Sequence, residues 1–321
     1  MSFGVGIIGA GWWAGEHALA LTQTNELHLV GFSSRSREKV SEFQKLYGGD
    51  GYEDYRRLLD RSDVDVVVIA TPHHTHAALA IEALQAGKHV LLEKPMACSY
   101  AECIAVAEAV RTAKGMFMLG LTHHFVRAMM RAKEVVESGA LGPIVTGFCG
   151  FGQTWGQARG RPGFYRDRRK GGGVWLTLGV HFVDRLLWLI GTDVVSAHGV
   201  VRQRFHGIDE QLADDSGVAL IEFSSGAVAS MVVDGYKAGP PWAEMRIVGE
   251  RAVLRLEGQN LSVSEGEIWR SVPVEEQNPM VGEWNALALA LRDGTAPPIS
   301  LDYAMKVMEI LFEIEGLAES T

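Results

Sequence analysis

The chain has 321 residues, of which 47% are hydrophobic and 21% charged, as in globular proteins that are long enough for two domains. Its formal net charge of −9 argues against nucleic acid or an anionic membrane as the main partner. Three cysteines without a Cys-x-x-Cys pair favour buried thiols in a reducing cytoplasm over a disulfide framework. The first eight residues lack the basic segment of a signal peptide, and no uncharged run predicts a membrane span.

The first 120 residues alternate between short apolar runs and amphipathic stretches. Runs that are apolar on both faces predict the strands of a parallel sheet, and the stretches between them predict helices that cover it. We predict strands at 5–8, 27–32, 64–70, 89–92 and 116–119, and helices at 14–22, 37–46, 52–60, 75–85 and 100–112. Residues 1–121 are therefore expected to form an α/β Rossmann domain.

The pattern changes after residue 121. Helices are predicted at 127–137 and 174–190, and a strand at 144–152. Between residues 194 and 264, several long strands are joined by turn signals with no helix between them, which predicts a large, open, mostly antiparallel sheet. Helices at 281–292 and 301–318 follow. We expect residues 122–321 to form an α+β domain that binds substrate.

A glycine-rich turn joins the first predicted strand to the first helix. It runs Gly9-Ala10-Gly11-Trp12-Trp13-Ala14, a Gly-x-Gly-x-x-Ala sequence. Gly9 allows a tight turn, Gly11 lets the backbone approach a pyrophosphate, and Ala14 lets helix and strand pack closely. The helix N-terminus offers N–H donors to the anion. The alternative is a plain strand-to-helix turn, but this context predicts a dinucleotide site that includes Trp12 and Trp13.

The end of the second strand indicates which dinucleotide binds. An acidic residue there accepts a hydrogen bond from the ribose 2′-hydroxyl of NAD. This chain instead has Ser34 and Arg35, and no carboxylate occurs before Glu38. Serine and arginine can donate to the 2′-phosphate of NADP, which a carboxylate would repel. The sequence therefore favours NADP, with NAD possible, over the alternative of a solvated basic loop.

Polar residues also end the third strand. Thr71, Pro72, His73 and His76 lie where the carboxyl edge of an open parallel sheet binds ligands, and we expect them to contact the cofactor. The histidines raise the possibility of zinc, but no nearby cysteine or carboxylate completes a ligand set, so no metal is predicted.

The fourth strand ends in Glu93-Lys94-Pro95 at the same expected edge, where we also expect Glu93 and Lys94 to contact the cofactor. A lysine in this position can donate to a substrate oxygen or hold a developing alkoxide. By position alone, an exposed strand-end lysine is the alternative. Pro95 directs the turn, and its peptide bond can be cis.

Several motifs together resemble the Gfo/Idh/MocA oxidoreductases. In the first domain they are Gly9–Ala14, His17, Thr71-Pro72, His76, Ala86–Val90 and Glu93-Lys94-Pro95. In the second they are residues 137–142 and the Gly-x-His-x-x-Asp run within residues 171–184. The resemblance implies an NAD(P)-dependent oxidoreductase that forms homodimers or homotetramers through its C-terminal sheet. It further implies that Lys94 is functional and that His181 is the acid/base.

Two departures from the family pattern bear on the substrate. Many family members have Asp four residues before the histidine, where this chain has Thr177, which can hydrogen-bond but carries no charge. His124 and Arg127 replace the Arg and Pro of a frequent Arg-Phe-x-Pro pattern. Both changes argue against the usual polyol and inositol substrates.

The resemblance implies reversible hydride transfer at a CH–OH or C=O carbon of a sugar-like or cyclic hydroxy compound. Lys94 would polarise the oxygen, His181 would move the proton, and Thr177 would orient substrate or His181. We also expect substrate contacts from His124, Tyr165, Arg166 and Asp184.

Three alternatives remain open from the sequence. The arginine-rich segment 155–169 is either a flap over an anionic substrate or a solvated or subunit-contact loop. The protein is either an enzyme or a non-catalytic NADP-binding sensor with the same fold. As an enzyme it can instead act on a non-sugar ring compound, a dihydrodiol or a semialdehyde hemiacetal.

Overall fold

The computed structural model describes residues 2–154, 162–203, 213–235 and 240–316. Contacts between residues divide the chain into two compact units. The first unit comprises Met1–Ala97, Ala101–Phe125 and Gln277–Met305, and the second comprises Cys98–Tyr100, Val126–Glu276 and Lys306–Thr321. The domain boundary at residue 121 stays a prediction, and the contacts add residues 277–305 to the first unit.

The first unit contains a parallel sheet of six strands in the order β3-β2-β1-β4-β5-β6. The strands are β1 (Phe3–Ile8), β2 (Leu27–Ser33), β3 (Asp50–Tyr52), β4 (Val66–Ile69), β5 (His89–Glu93) and β6 (Phe117–Gly120). All four side chains of β4 are fully buried, and each contributes about 1.5–3 kcal/mol to stability. This strand order confirms the predicted Rossmann architecture.

Among the described residues, six α-helices belong wholly or mainly to the first unit. They are α1 (Trp12–Leu21), α2 (Arg37–Tyr47), α3 (Arg56–Leu59), α4 (His76–Gln85), α5 (Tyr100–Thr112) and α8 (Pro279–Asp293). The helix predicted over 52–60 is wrong in its first part, because Asp50–Tyr52 forms β3 and pairs with Gly31–Ser33. A three-residue edge strand is too short for a periodic pattern to reveal it.

The second unit contains a mixed sheet of eight strands in the order β14-β13-β12-β11-β7-β10-β9-β8. Neighbouring strands are antiparallel except β7 and β10, which confirms the predicted, mostly antiparallel sheet. The strands are β7 (Ile144–Gly152), β8 (Val194–Arg202), β9 (Ser216–Phe223), β10 (Val228–Asp234), β11 (Trp242–Gly249), β12 (Val253–Glu257), β13 (Asn260–Glu265) and β14 (Ile268–Ser271). The sequence did not predict β14, whose four residues are all exposed and therefore give no apolar signal.

The remaining helices are α6 (Arg127–Glu137), α7 (Val180–Ile190) and α9 (Leu301–Glu315). A π-helical turn, Trp175–Gly179, precedes α7 where a single α-helix was predicted. The Trp175 indole is buried and its Nε1 donates to the Leu311 carbonyl at 3.1 Å, which fixes this turn. The helical stretch Arg168–Ile190 is long and apolar enough to span a membrane, but 78% of its most apolar window is buried inside the protein, as in a core helix.

Candidate active site

The glycine-rich turn follows β1 in the first unit, as the sequence predicts. Gly9 has a φ of 128°, and a Cβ there would lie 2.3 Å from the Ala70 carbonyl oxygen. The Gly9 N–H donates to the Ser33 carbonyl at 2.9 Å, which ties the turn to the end of β2. The fold itself therefore requires glycine at this position.

Gly11 is different, because a Cβ there would meet no atom of the protein within 4 Å. Gly11 is the N-cap of α1 and makes no side-chain capping hydrogen bond. The open space and the uncapped first turn provide room and N–H donors for an anion. The turn therefore fits the pyrophosphate of a dinucleotide, and Ala14 packs beneath it, fully buried.

The β2 end carries the residues expected to choose between NADP and NAD. The Ser34 N–H donates to the Tyr52 carbonyl at 2.9 Å, and its hydroxyl accepts from the Ser36 N–H at 3.4 Å. Arg35 is exposed, and so is Glu38 in the first turn of α2. The Arg35 side chain is thus accessible at the end of β2, and the sequence has no carboxylate between β2 and Glu38.

Lys94 lies directly after β5 and is 6% exposed. Its Nζ is 5.9 Å from the ring centroid of Trp13, in the range of a cation–π contact. Trp13 is half-buried, whereas Trp12 is 69% exposed. The structure therefore brings Lys94 beside the glycine-rich turn, and the Lys94–Pro95 bond is cis.

His76, at the start of α4, is completely buried. Its Nδ1 lies 2.7 Å from the Pro95 carbonyl oxygen and its Nε2 lies 2.9 Å from the Thr71 carbonyl oxygen. Burial lowers the pKa of His76, so the neutral ring has one N–H and donates to one carbonyl at a time. The ring links the ends of β4 and β5; its predicted contact with a cofactor stays a prediction. His73, buried, packs against it with ring centroids 5.5 Å apart.

Sequence reasoning missed a buried polar cluster behind Lys94. The Trp284 Nε1 of α8 donates to His17 Nδ1 at 3.1 Å, and His17 Nε2 contacts Glu93 Oε1 at 2.9 Å. Burial opposes the ionisation of Glu93, but the hydrogen bond from His17 and the charge of Lys94 outweigh it and lower the pKa of this carboxyl. His17 had a signal in the family motif, whereas nothing local in the sequence connects Trp284 to it.

Glu283, the neighbour of Trp284, is also fully buried. Burial and the nearby charge of Glu93 raise the pKa of Glu283 well above its ordinary range. The Thr122 hydroxyl lies 3.4 Å from both carboxyl oxygens. Burial therefore disfavours ionisation of Glu283, whereas the contacts of Glu93 favour its ionised form.

The second unit holds the other predicted catalytic residues on one helical stretch. Thr177 lies in the π-helical turn, and His181 and Asp184 lie in α7. All three are buried, with 2%, 8% and 0% of their surface exposed. Tyr165 lies in the 3₁₀ turn Gly163–Arg166, and its carbonyl accepts from the Gly173 N–H at 2.9 Å.

The arginine-rich segment is only partly described. Trp155, Arg159 and Arg161 lie outside the described residues. Arg168 donates from Nε to Glu315 Oε1 at 3.1 Å, and Arg169 pairs with Asp167. Two of these arginines are therefore engaged in ion pairs within the second unit, and the flap interpretation stays a prediction.

His124 belongs to the first unit, where its ring packs edge-to-face against Tyr303 at 5.3 Å between centroids. Within the described ranges, no group of three or more His, Cys, Asp or Glu side chains is arranged to hold a metal ion.

Asp214 supports the turn that carries Thr177, because its Oδ2 accepts from the Trp175 N–H at 2.6 Å. Its Oδ1 is buried, with no hydrogen-bond partner among the described residues. Burial raises the pKa of Asp214 to about 7, well above its value in an unfolded chain. The folded protein therefore holds more protons than the unfolded chain between about pH 4 and pH 7.

We expect the contribution of Asp214 to stability to be full below about pH 4 and to fall by roughly 2–4 kcal/mol as the pH rises to about 7. Asp214→Asn should flatten this part of the pH profile of the free energy of unfolding, which urea titrations measure. Asp215→Asn, at the adjacent buried aspartate, is the matched control. Equal pH slopes in the Asp214 variant and the wild type would contradict the assignment.

Comparisons with known proteins agree with this architecture. A model of the oxidoreductase family with an NAD-binding Rossmann fold matches residues 3–121, and a model of the GFO/IDH/MocA C-terminal domain matches residues 129–255. A solved structure of levoglucosan dehydrogenase in complex with NADH has a TM-score of 0.90 at 22% identity, covering 99% of this chain and 97% of that chain. This likeness shows the fold.

Two curated relatives are informative about chemistry. Levoglucosan dehydrogenase of Pseudarthrobacter phenanthrenivorans is 28% identical over 257 residues, 71% of this chain and 66% of the relative. The 1-carboxy-3-chloro-3,4-dihydroxycyclohexa-1,5-diene dehydrogenase of Comamonas testosteroni is 33% identical over 194 residues, 57% of this chain and 45% of the relative. The matched region thus spans less than two thirds of the length of either relative.

Proposed function

Because this chain belongs to the Gfo/Idh/MocA family of oxidoreductases, we propose that it is an NADP-dependent dehydrogenase that interconverts an alcohol and a carbonyl group in a sugar-like or cyclic hydroxy compound. The observation that carries this proposal is the position of Lys94. Its ammonium group is nearly buried beside Trp13 of the glycine-rich turn, at the carboxyl edge of the parallel sheet. Ligands of open α/β sheets bind at this edge.

The residues of the first unit fit a dinucleotide. The space at Gly11 and the uncapped N-terminus of α1 would hold the pyrophosphate. Thr71 and Pro72, which follow β4, lie at the same carboxyl edge of the sheet. The nicotinamide, when bound, supplies or accepts the hydride of the reaction. The protein must then hold the reacting oxygen and move its proton.

Two side chains have the chemistry for these tasks. Lys94 is a donor that can polarise a carbonyl oxygen or stabilise an alkoxide, and its low exposure strengthens that interaction. His181, on α7 of the second unit, can accept or return the hydroxyl proton near neutral pH. Thr177, one turn earlier, would orient the substrate or His181 through its hydroxyl.

The names of two relatives support the proposed substrate class, and Thr177 carries no charge where many family members have aspartate. Levoglucosan is an anhydrosugar, and the Comamonas relative is named for a carboxylated ring diol. We propose that His124, Tyr165, Arg166 and Asp184 contribute to recognition of a compound of one of these kinds. The proposal also includes a dihydrodiol or a semialdehyde hemiacetal as the substrate.

A screen of anhydrosugars, sugars, sugar acids, inositols and ring diols, read by the absorbance of reduced cofactor, tests the proposal. The Lys94→Ala variant serves as the blank. We expect the wild type, but not the Lys94→Ala variant, to turn over compounds of at least one class. Cofactor binding without turnover of any class would instead support the non-catalytic sensor.

We expect the charge at Arg35 to decide the cofactor preference. Arg35→Ala should weaken NADP binding roughly tenfold to a hundredfold, because a charge-assisted hydrogen bond is worth about 1.5–3 kcal/mol. NAD binding should change little. Thermal-shift titrations with both cofactors measure this, and Lys45→Ala, at the far end of α2, is the control. Wild-type preference for NAD would overturn the assignment of Ser34 and Arg35.

We further propose a homodimer or homotetramer formed through the C-terminal sheet in a reducing cytoplasm. Apolar residues on one face of β8 and β9 support this, since Val200 and Val218 are paired neighbours and each is 52% exposed. Leu220, on the same face, is 56% exposed. Sedimentation velocity measures the subunit number directly.

A further inference from the structure

We propose that His17 and Trp284 are positioning residues for the reaction, which hold the Glu93 carboxyl group in one orientation beside Lys94. These three residues, His17, Glu93 and Trp284, are called the buried triad below. The inference rests on the proposed function of Lys94. It concerns residues to which neither the family match nor the relatives assign a role, and Trp284 lies outside both matched ranges.

The hydrogen-bond geometry determines which His17 nitrogen carries the proton. An indole N–H can only donate, so His17 Nδ1, 3.1 Å from Trp284 Nε1, must be the acceptor. In the neutral ring the proton is then on Nε2, which donates to Glu93 Oε1 at 2.9 Å. The triad is therefore a directed series of two hydrogen bonds that ends on the carboxylate preceding Lys94.

Burial protects the two hydrogen bonds of the triad from water. His17 and Trp284 are 0% exposed and Glu93 is 5% exposed, so water has little access to replace either hydrogen bond. The His17 and Trp284 rings meet edge-to-face, with an interplanar angle of 84°. A proton added to His17 Nδ1 would face the indole N–H, and two donors would then oppose each other. Trp284 thus keeps His17 Nδ1 as an acceptor, and His17 keeps Glu93 in one orientation.

The other titratable groups around the triad come from three elements. Lys94 follows β5, His76 begins α4, and Glu283 precedes Trp284 in α8. His76 contacts two backbone carbonyls, and burial lowers its pKa and raises the pKa of Glu283 well above its ordinary range. Burial therefore disfavours the charged forms of both groups, whereas the hydrogen bond from His17 and the charge of Lys94 favour the ionised form of Glu93.

The tautomer can be measured without any substrate. In ¹⁵N NMR of the wild-type protein, with the His17 signals assigned by their loss in His17→Gln, Nδ1 should be of the acceptor type and Nε2 should be protonated. A protonated Nδ1 at neutral pH would overturn the proposal. Because no turnover is involved, this result is independent of whether the proposed reaction is correct.

The functional consequence is tested with Trp284→Phe, which keeps an aromatic ring and removes the donor. Its kcat should be about tenfold below that of the wild type while KM for the cofactor stays within about twofold, because His17 Nδ1 loses the donor that fixes its tautomer. Trp269→Phe, at an exposed position on β14, should keep the wild-type kcat. A kcat of Trp284→Phe equal to that of the wild type would overturn the positioning role.

A second pair of variants covers the case in which Trp284→Phe does not fold. The glutamine of His17→Gln offers an amide N–H to Glu93 and an oxygen to the indole, whereas the leucine of His17→Leu offers neither. We expect kcat of the glutamine variant to exceed that of the leucine variant about tenfold, with similar thermal shifts on cofactor binding. Equal activities of the two variants would show that His17 serves only to fill space.

Discussion

Lys94→Ala should lower kcat by roughly 10²–10⁴-fold while the protein still binds its cofactor. The reason is that Lys94 is the cation beside the glycine-rich turn and is only 6% exposed, so its effect on a reacting oxygen is little screened by water. His181→Ala should have a loss of similar size, because no other residue is proposed to move the hydroxyl proton. Steady-state kinetics with the substrate found in the screen measure both losses.

Matched control variants distinguish this loss of kcat from a general loss of folding or stability. Lys114→Ala removes an exposed lysine and His28→Ala an exposed histidine, both in the first unit. Both should keep wild-type kcat. Thermal shifts with NADP should persist in Lys94→Ala and His181→Ala. Wild-type turnover in either of these two variants would remove that residue from the mechanism.

Gly9→Ala and Gly11→Ala should both abolish tight cofactor binding, for different reasons. At Gly9 the φ of 128° and a Cβ position 2.3 Å from the Ala70 carbonyl oxygen conflict with any side chain. We expect Gly9→Ala to lower the free energy of unfolding of the cofactor-free protein by about 3 kcal/mol or more. At Gly11 a Cβ meets no protein atom within 4 Å, so the cost should be under about 1 kcal/mol.

Urea unfolding and cofactor titration together distinguish the two glycines. Gly11→Ala should unfold almost as the wild type does, yet bind the dinucleotide at least about tenfold more weakly, because the methyl group occupies the space of the ligand. Normal cofactor affinity in Gly11→Ala would mean that the pyrophosphate does not approach this residue. Wild-type stability of Gly9→Ala would contradict the turn geometry.

Local sequence patterns were enough to predict most of the fold. The apolar runs of β1, β4 and β5 are buried on both faces, so their composition alone distinguishes them from amphipathic strands. Elements that depend on a partner were not predictable in the same way. β3 exists because it pairs with β2, and β14 because it pairs with β13, and neither has an apolar pattern of its own.

The features of the candidate site can likewise be separated into those with a local sequence pattern and those that depend on tertiary contacts. By itself, the sequence determined that a glycine-rich turn opens α1, that Lys94 ends β5, and that a helix carries Thr177 and His181, because each is a short motif next to a recognisable element. Only the tertiary structure decided what surrounds them. Trp284 reaches His17 across 267 positions of sequence, and Asp214 reaches Trp175 across 39. Such contacts have no local signature, since they arise from packing and from the need to pair polar groups once they are buried.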